Sequence, residues 1–402
     1  MADNKDKKVL NVPALRFPEF TEEWKEEQLD EIAELSKGVC ISKEQLSENG
    51  KPCILYGELY TRYKSEIIRK VISKTNIESS NLKHSKRNDV IIPCSGETAI
   101  DIAVARCIPF DNILLGGDLN VIRLHKGDGA FMAYQLNGKR KIDIAKLAQG
   151  VSVVHLYGEN LKTIKTYNPC LQEQQKIVRL LSILDERIST QNKIIEDLRL
   201  LRDAIMVEHY RKCNKSELYI YDIGEPFNVM NLSKDDLTKD GSPCIIYGEL
   251  FTTYGCVIEN VVSHTTESPN STLSTKGDLL FPASTTVDAL SLIAPSSINE
   301  DGIILGGDMF GIHVNEQYNS NYLSYYFNII GKKNLAKYAK GSTIIHLHYA
   351  DIQKAKIILP NKNEQETVAN LLLKVEHKLN IEQKMLINYL NTKNFLLRQM
   401  FI

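Results

Sequence analysis

Planar, hydroxyl-bearing and basic side chains recur at matching places in the two halves of this chain. Residues 50–63 return as residues 241–254, with ten of the fourteen positions identical at an offset of 191 residues. The first copy places tyrosines beside Arg62 and Lys64. Polar side chains can read the edges of nucleobases, whereas Lys and Arg bind phosphates. The pattern is therefore typical of a surface that binds a polyanion, although each tyrosine would suit a core position equally well.

The repeat extends to further candidate contact residues. Hydroxyl side chains follow Pro93 and Pro282, and basic clusters lie at matching places later in each copy. Residues 51–150 carry 16 basic against 10 acidic side chains, whereas residues 242–341 carry 5 against 9, so the second cluster persists in an acidic domain. The residues predicted to contact DNA are Tyr56, Tyr60, Arg62, Tyr63, Lys64, Ser95, Thr98, Lys139, Arg140, Lys141, Tyr247, Thr253, Tyr254, Ser284, Thr285, Thr286, Lys332, Lys333, Lys337 and Lys340.

Motifs for catalysis are missing from the sequence. It contains no GxxxxGK[ST] phosphate loop, HExxH metal motif, GxSxG nucleophile turn or GxGxxG dinucleotide turn. His155 and His346 are the only histidines that recur between the copies, and neither has a repeat-matched carboxylate or cysteine beside it in the sequence. An enzyme with duplicated active sites is therefore disfavoured, and we predict no catalytic and no metal-binding residues.

Two short motifs resemble sites but have simpler interpretations. Asn168-Pro169-Cys170 faintly suggests the loop that amino-methyltransferases place around a flipped base, but the second copy lacks that pattern. We interpret it as a turn into a helix. The Gly-Gly-Asp turns at residues 116–118 and 306–308 could bind an anion through backbone amides, but a tight connection between strands is the favoured interpretation.

The same order of elements is predicted in both copies. Apolar runs at residues 90–92 and 279–281 follow an aspartate and end at a proline, which is typical of strands bounded by turns. A helical stretch is expected at residues 131–148 and again at 322–339, followed by a further strand that ends at a second proline.

After that proline each copy changes to a long helical pattern. Apolar residues alternate by four and three, the period of a coiled coil, with polar interruptions at the same places in both copies. An apolar stripe of this length requires a partner, and the two matched stripes can pack on each other. The alternative is that each helix packs on its own domain. The predicted seam consists of Ile177, Leu181, Leu184, Ile188, Ile195, Leu198, Val368, Leu372, Val375, Leu379, Leu386 and Tyr389.

Length and composition set broad limits on the class of protein. The 402 residues allow two domains, and 43% apolar with 25% charged residues is ordinary for a globular protein. No apolar run approaches the length of about 18–20 residues that a membrane span needs, and the polar start does not resemble a secretory signal. Eight cysteines without a CxxC pair favour free thiols over disulfides or zinc. We expect a cytoplasmic protein that does not contact membranes.

These features together resemble the specificity subunit of type I restriction–modification systems over essentially the whole chain. The resemblance is carried by the opening segment at residues 13–20 with Trp24, by the two Tyr-Gly-Glu-Leu segments and by the strand–proline–hydroxyl pattern. It is also carried by Gly341-Ser342 with His346-Leu347, and by a proline followed by Glu-Gln before each long helix. Each motif is modestly specific, but their order, repeated twice, is highly specific.

The resemblance implies an α+β fold with two mixed α/β target recognition domains, joined by two long antiparallel coiled-coil helices in an internal pseudo-twofold repeat. The predicted boundaries are a lead-in segment at 1–29, recognition domains at 30–170 and 213–361, and spacer helices at 171–212 and 362–402. Each domain would read one half of a bipartite site in double-stranded DNA, and the helices would set the gap between the halves.

The resemblance also implies a division of labour among subunits. The chain itself would be non-catalytic and would bind no cofactor. Two methyltransferase subunits would bind S-adenosylmethionine and methylate adenine, and two restriction and motor subunits would use ATP and Mg²⁺. The alternative function is a non-catalytic adaptor whose two domains bind polypeptides. Such an adaptor would not retain DNA even in the presence of a methyltransferase subunit.

Overall fold

A computed structural model describes residues 10–39, 41–78, 81–230, 232–266 and 271–402. Residues 1–9 of the predicted lead-in segment, and Cys40, lie outside this part of the chain. The chain forms two compact units, unit 1 (residues 1–192 with 384–402) and unit 2 (residues 193–383). Each unit contains one section of each long helix. The predicted boundaries instead treat the long helices as segments separate from the two domains.

The strands of unit 1 form a five-stranded sheet in the order β3-β5-β4-β10-β6, a four-stranded sheet in the order β2-β11-β7-β9, and two-stranded sheets β1-β13 and β8-β12. Their bounds are β1 Lys25–Gln28, β2 Ala33–Lys37, β3 Leu46–Ser47, β4 Lys51–Ile54, β5 Ser73–Thr75, β6 Lys83–His84, β7 Asp89–Pro93, β8 Ser95–Gly96, β9 Arg106–Ile108, β10 Leu114–Leu115, β11 Leu119–Leu124, β12 Val154–His155 and β13 Lys165–Asn168. The predicted strand at residues 90–92 is confirmed as fully buried β7.

Short helices cover the sheets of unit 1. Where one stretch was predicted at residues 131–148, two helices form, because the chain leaves helical geometry at Gly138, the residue that ends the first of them. The helices are α1 Leu29–Ile32, α2 Glu58–Thr61, α3 Ala99–Ile102, α4 Gly129–Asn137, α5 Lys141–Lys146, α6 Gly158–Leu161 and α7 Leu171–Lys212, with a 3₁₀ turn at Lys43–Gln45. The interpretation of Asn168-Pro169-Cys170 as a turn into a helix is confirmed, since α7 begins at the next residue.

Unit 2 repeats this arrangement with two five-stranded sheets, β15-β25-β21-β23-β18 and β16-β19-β17-β24-β20, and two-stranded sheets β14-β27 and β22-β26. The fifth strand of the first sheet, β18, corresponds in unit 1 to a single bridge between Ile67 and Cys107. The strands are β14 Lys215–Tyr219, β15 Gly224–Asn228, β16 Leu237–Thr238, β17 Ser242–Ile246, β18 Val257–Ile258, β19 Ser263–Thr265, β20 Thr272–Leu273, β21 Asp278–Pro282, β22 Ser284–Thr285, β23 Ser296–Ile298, β24 Ile304–Gly306, β25 Met309–Val314, β26 Ile345–His346 and β27 Lys356–Pro360.

The helices of unit 2 follow the same order. The stretch predicted at 322–339 is again divided, here near Gly331. The helices are α8 Glu249–Thr252, α9 Ala289–Leu292, α10 Ser320–Ile329, α11 Lys332–Leu335, α12 Tyr349–Ile352 and α13 Lys362–Gln399, with 3₁₀ turns at Ile220–Asp222, Lys234–Asp236 and Ala336–Tyr338. Both Gly-Gly-Asp turns are tight connections between strands, β10 to β11 and β24 to β25, as predicted.

The long helices α7 and α13 run antiparallel, as expected. The beginning of α7 packs beside the end of α13 in unit 1, where Asp185 contacts Lys393. In unit 2 the end of α7 packs beside the beginning of α13, where Arg202 contacts Glu376. All twelve residues of the predicted seam are buried or half-buried, so the predicted helical period is confirmed.

Two of the polar residues that interrupt the predicted seam, Arg202 and Lys393, form ion pairs between the long helices. Lys393 Nζ lies 2.7 Å from Asp185 Oδ1 and also contacts the Glu66 carboxylate. Arg202, at the position equivalent to Lys393, lies 3.3 Å from the Glu376 carboxylate. The two pairs are related by the 191-residue repeat. The seam therefore contains one charged contact at the same place in each unit, which favours one register because a shifted helix would leave a buried charge unpaired.

A repeated proline–Glu-Gln motif joins each long helix to its own unit. The Gln174 side chain donates to the Pro169 carbonyl at 2.9 Å and accepts from the Asp128 amide at 2.9 Å. Gln365 does the same in unit 2, with the Pro360 carbonyl at 2.8 Å and the Asn319 amide at 2.9 Å. The glutamine thus connects the first turn of the long helix to the N-cap residue of an earlier helix, α4 in unit 1 and α10 in unit 2.

The opening segment is held in unit 1 by the other half of that motif. The Arg16 guanidinium donates to both oxygens of Glu173 at 2.7 and 2.8 Å, and Trp24 Nε1 donates to the same carboxylate at 3.3 Å. The Trp24 ring packs edge-on against Phe131 and Phe401 in a buried aromatic cluster. Trp24 is therefore part of the core of unit 1, and Arg16 ties the chain before it to the first turn of α7.

The buried aspartate that begins β7 or β21 has a different basic residue as its partner in each unit. In unit 1 the Arg123 guanidinium donates to both oxygens of Asp89 at 2.8 and 2.7 Å. In unit 2 the partner of Asp278 is His313 Nδ1 at 2.7 Å, and the His313 ring stacks on Phe227. Burial raises the pKa of Asp278, although hydrogen bonds from the Thr275 amide and His313 oppose the shift. Unit 2 therefore pairs its carboxylate less strongly than unit 1 does.

Candidate nucleic-acid interface

The repeated Tyr-Gly-Glu-Leu motif fixes a turn. Its glutamates are buried, and the Glu58 carboxylate accepts from the Leu55 amide at 2.9 Å while that of Glu249 accepts from the Ile246 amide at 3.0 Å. Glu58 also accepts from the Ser73 hydroxyl. The motif recurs because each unit needs a buried hydrogen-bond acceptor at this turn. The identical glutamates in the two copies therefore have a structural role.

Two of the predicted tyrosines belong to the core. The hydroxyl of Tyr63 accepts from the Ile72 amide at 3.2 Å, and that of Tyr254 accepts from the Val262 amide at 3.2 Å. Burial raises the pKa of Tyr63 and of Tyr254 to about 12. The structure therefore uses these two rings for packing, which was the alternative for any single tyrosine.

The other tyrosines and cations of the repeated segment divide between two places. Tyr56 and Tyr60 lie beside the loop after β8, since a Cβ atom added at Gly96 would lie 3.7 Å from the Tyr60 hydroxyl. Arg62 and Lys64 are exposed, and with Ile188 and Leu390 they line a groove of unit 1 at the other end of this segment. Tyr247 and Thr253 are exposed in unit 2.

The short sheets β8-β12 and β22-β26 bring two loops together in each unit. Ser95 pairs with His155, and Ser284 pairs with His346. We call residues 95–101 with 149–155 hairpin surface 1, and residues 284–290 with 340–346 hairpin surface 2. Both contain hydroxyl residues predicted to contact DNA, so the hydroxyl loops and the hairpins form one continuous surface in each unit.

Several predicted hydroxyls in these loops have local hydrogen bonds. Thr98 is the N-cap of α3 and accepts from the Asp101 amide at 3.2 Å. Ser95 donates to Asp118 at 3.2 Å and is buried, as is Ser284. Thr286 is exposed. The loops are thus held in shape by their own side chains, and the exposed positions between them remain open to a ligand.

The basic cluster of unit 2 lies beside hairpin surface 2. Helix α9 packs against the 3₁₀ turn Ala336–Tyr338 and against β26, which places Lys337 and Lys340 next to the loop. Lys332 and Lys333 lie beside Leu290 in a shallow hollow. The structure therefore brings together the hydroxyl residues and the lysines that the sequence singled out separately.

The basic cluster of unit 1 is divided by packing. Arg140 donates to the Ile402 carbonyl at 2.9 Å and lies over the Tyr167 ring. Lys141 is half-buried, and burial lowers its pKa. Lys139 alone of the three is exposed. The correspondence between the two basic clusters is therefore weaker in the structure than in the sequence.

Aromatic residues of the hairpins were missed as candidates. The His155 and Tyr157 rings stack with centroids 6.2 Å apart, and His346 stacks on His348 at the same distance. His155 is exposed although it lies in β12. The signal that could have found them is the matched spacing from Gly150 to His155 and from Gly341 to His346.

Comparison with known proteins identifies the family. The family model for the type I restriction modification DNA specificity domain matches residues 21–200 and 220–391. The chain belongs to this family. Each match takes one recognition domain together with most of the long helix that follows it, which agrees with the 191-residue repeat.

Relatives match over nearly the whole length. The putative type I restriction enzyme MjaX specificity subunit of Methanocaldococcus jannaschii is 23% identical, over 94% of this chain and 92% of the relative. The type I restriction enzyme MjaVIII specificity subunit of the same organism is 22% identical over the same shares. The chain thus matches specificity subunits of this family over nearly their whole length.

Solved structures share the fold. The S subunit of a type I restriction–modification system from M. genitalium matches with a TM-score of 0.63 at 17% identity, over 97% of this chain and 99% of that one. A chain from work on complex assembly and conformational transition of the type I R-M system matches with a TM-score of 0.52 at 14% identity, over 94% and 97%. The predicted α+β fold with a paired-helix repeat is confirmed.

Metal sites and membrane spans are both missing from the described residues. In the described part of the chain no group of three or more His, Cys, Asp or Glu side chains is placed to hold a metal ion. No helix there is both long and apolar enough to cross a membrane.

Proposed function

We propose that this chain supplies the DNA address for a type I restriction–modification complex without taking part in its chemistry. Unit 1 reads one half of a bipartite site through hairpin surface 1, and unit 2 reads the other half through hairpin surface 2. The observation that supports this most directly is the repetition of one surface, built from different side chains, on two units of one family.

The long helices have two roles in this proposal. Their antiparallel packing sets the gap between the half-sites, and their outer faces dock two methyltransferase subunits. Large apolar side chains on these outer faces are exposed, which is expected of a surface that a partner covers. They are Leu180, Ile183, Ile194, Leu200, Leu201, Leu371, Ile381, Met385, Ile387 and Phe395.

Cofactors belong to the partners in this proposal. The methyltransferase subunits bind S-adenosylmethionine and modify adenine, and two restriction subunits use ATP and Mg²⁺. The chain contributes no reacting group, and it acts in the cytoplasm, where DNA and these partners meet.

An exchange of one domain tests the assignment of halves. Residues 51–150 are replaced by the equivalent segment of another specificity subunit, and the chimera is expressed with its methyltransferase partner. Methylated adenines are then mapped across the genome. We expect one half of the recognised sequence to change and the other half to persist.

Two results would contradict the proposal. A change in both halves would refute the assignment of one domain to one half. Failure of the unaltered chain to retain DNA in the presence of the methyltransferase subunit would favour the polypeptide-binding adaptor instead. A matched exchange of residues 242–341 serves as the control, since it must change the other half.

A further inference from the structure

The two most exposed large apolar side chains of the described residues lie on the two hairpin surfaces. Val151, at the tip of hairpin surface 1, is 97% exposed, and Val287, in hairpin surface 2, is 70% exposed. Single exposed apolar residues are common on protein surfaces. These two, however, occur once in each unit, and each lies within the surface to which the proposed function assigns DNA.

Further apolar side chains surround them at positions that match between the units. Ile100 in α3 and Leu290 in α9 are each nearly half exposed. Val153 and Ile344 occupy equivalent places in the two hairpins, and each is about half exposed. Both surfaces thus share the same exposed apolar positions. An exposed apolar patch surrounded by polar groups is typical of a binding site.

Val151 and Val287 themselves do not match. The position of Val151 is taken in unit 2 by Ser342. The loop that contains Val287 is one residue longer than its counterpart, because the N-cap residue Asp288 follows Ser284 by four positions, whereas Thr98 follows Ser95 by three. The surrounding apolar positions are therefore shared by the two units, whereas the most exposed apolar side chain lies at a different place in each unit. Two half-sites of different sequence would require such a difference.

The hairpins hold their tips in fixed positions. Gln149 and His155 exchange two backbone hydrogen bonds of 2.9 and 2.7 Å, and Lys340 and His346 exchange two of the same lengths. Gly150 has a φ of +120°, and a Cβ atom there would lie 2.2 Å from the Val153 carbonyl oxygen. Such a turn requires glycine. The valine at the tip is therefore presented on a constrained loop, so binding would not have to order it.

The groups around Val287 suit DNA, whereas those around Val151 are mixed. Thr286 and Lys337 are exposed beside hairpin surface 2, and Lys340 there pairs with Asp351. Tyr60 lies beside hairpin surface 1, which also carries the exposed carboxylates of Glu97 and Asp101. Cations suit phosphates, and hydroxyl groups suit base edges. An apolar side chain among them can contact a thymine methyl group or insert between base pairs.

We propose that Val151 and Val287 make direct apolar contacts with bases and give each half-site part of its sequence specificity. The proposal rests on the proposed function, because it assigns individual residues to the surfaces that read DNA. It predicts that each valine affects one half of the recognised sequence.

The test uses the full chain with its methyltransferase subunit and the DNA sequence that methylation mapping identifies. Val151→Ser and Val287→Ser are each compared with the unaltered chain. Each is expected to weaken binding about tenfold, the effect of one lost base contact. The dependence of affinity on salt should not change, because no phosphate contact is removed.

Modified DNA identifies the contact. Thymines of each half-site are replaced one at a time by uracil, and 2-aminopurine is placed at successive steps to report unstacking. If the valine contacts a thymine methyl group, uracil at that position weakens DNA binding by the unaltered chain but not by the valine variant. If the valine inserts between base pairs, 2-aminopurine fluorescence at that step rises with the unaltered chain only. Val151→Ser must act in one half-site and Val287→Ser in the other.

Control variants separate this effect from general surface changes. Ile72→Ser in unit 1 and Val262→Ser in unit 2 alter side chains that are at least half exposed next to the five-stranded sheets. They should leave DNA binding unchanged. The proposal fails if the valine variants bind like the controls. It also fails if they lose the methyltransferase subunit while keeping affinity for DNA, which would indicate a protein contact. Failure of the unaltered chain to bind DNA would instead reject the proposed function.

Discussion

Replacement of Lys393 by methionine should destabilise unit 1 strongly. The Lys393 ammonium lies between Glu66 and Asp185, and all three side chains are buried. Asp185 also accepts from the Tyr134 hydroxyl at 2.7 Å and from the Ser65 hydroxyl at 2.8 Å. This cluster connects the α2–β5 loop and α4 to both long helices. Methionine has a similar length but would leave two buried carboxylates without their cation.

The size of the effect follows from that burial. Removing one partner of a buried ion pair costs about 3–5 kcal/mol, because the remaining charge cannot be solvated. Lys393→Met is therefore expected to lower the free energy of unfolding of unit 1 by that amount, measured by urea unfolding with hydrogen exchange to localise the loss. Lys384→Met, at an exposed position of the same helix, is the matched control and should change stability little.

Alkaline pH gives a second measurement of the same contact. Burial alone would lower the pKa of Lys393, but the Glu66 and Asp185 carboxylates raise it above its ordinary value. A raised lysine pKa stabilises the fold below about pH 10.5, and this contribution is lost as pH rises through the folded value. Lys393→Arg should keep its charge and resist that loss. If Lys393→Met were no less stable than Lys384→Met, the interpretation of the cluster as a stabilising contact would be refuted.

Three further outcomes are expected. Alanine at Lys332 and Lys333 should weaken DNA binding and reduce the salt slope by about one unit per lost phosphate contact, and an unchanged slope would exclude the pair. His313→Arg should stabilise unit 2 at neutral pH by up to about 1 kcal/mol in urea unfolding, since a permanent cation would face the buried aspartate. Native thiol titration should modify Cys170 and Cys213 first among the cysteines of the described chain, because the others there are buried.

The sequence predicted the helices and the repeat well. The apolar period of α7 and α13 is a local property, so the seam residues could be identified without coordinates. The polar interruptions at Arg202 and Lys393 were also visible in the sequence. The ion-pair partners of these two residues could be predicted only in part. Glu66 lies in a loop that is distant in sequence, and no periodicity connects it with α13.

The candidate site was predicted less well, because identity between the copies was interpreted as function. Tyr63, Tyr254 and the glutamates of the repeated motif recur because each unit forms the same hydrogen bonds from backbone amides to these side chains. Arg140 was grouped with its neighbours by charge, whereas its carbonyl partner lies at the far end of the chain. Such long-range hydrogen bonds are invisible to a reading of local sequence.

The positions of the lysines in unit 2 explain how a domain with a net negative charge can still present a basic surface. A domain with more acidic than basic residues would repel DNA if its charges were spread evenly over its surface. Four of the five lysines between residues 242 and 341 lie within residues 332–340, beside hairpin surface 2. Under the proposed function these lysines would meet phosphates, although Lys340 is also paired with Asp351, so the net charge of the domain does not describe the charge beside hairpin surface 2. Because the scaffold hydrogen bonds recur and the hairpin tips diverge, one fold can carry two different addresses, and the tips are where a change of address should be sought.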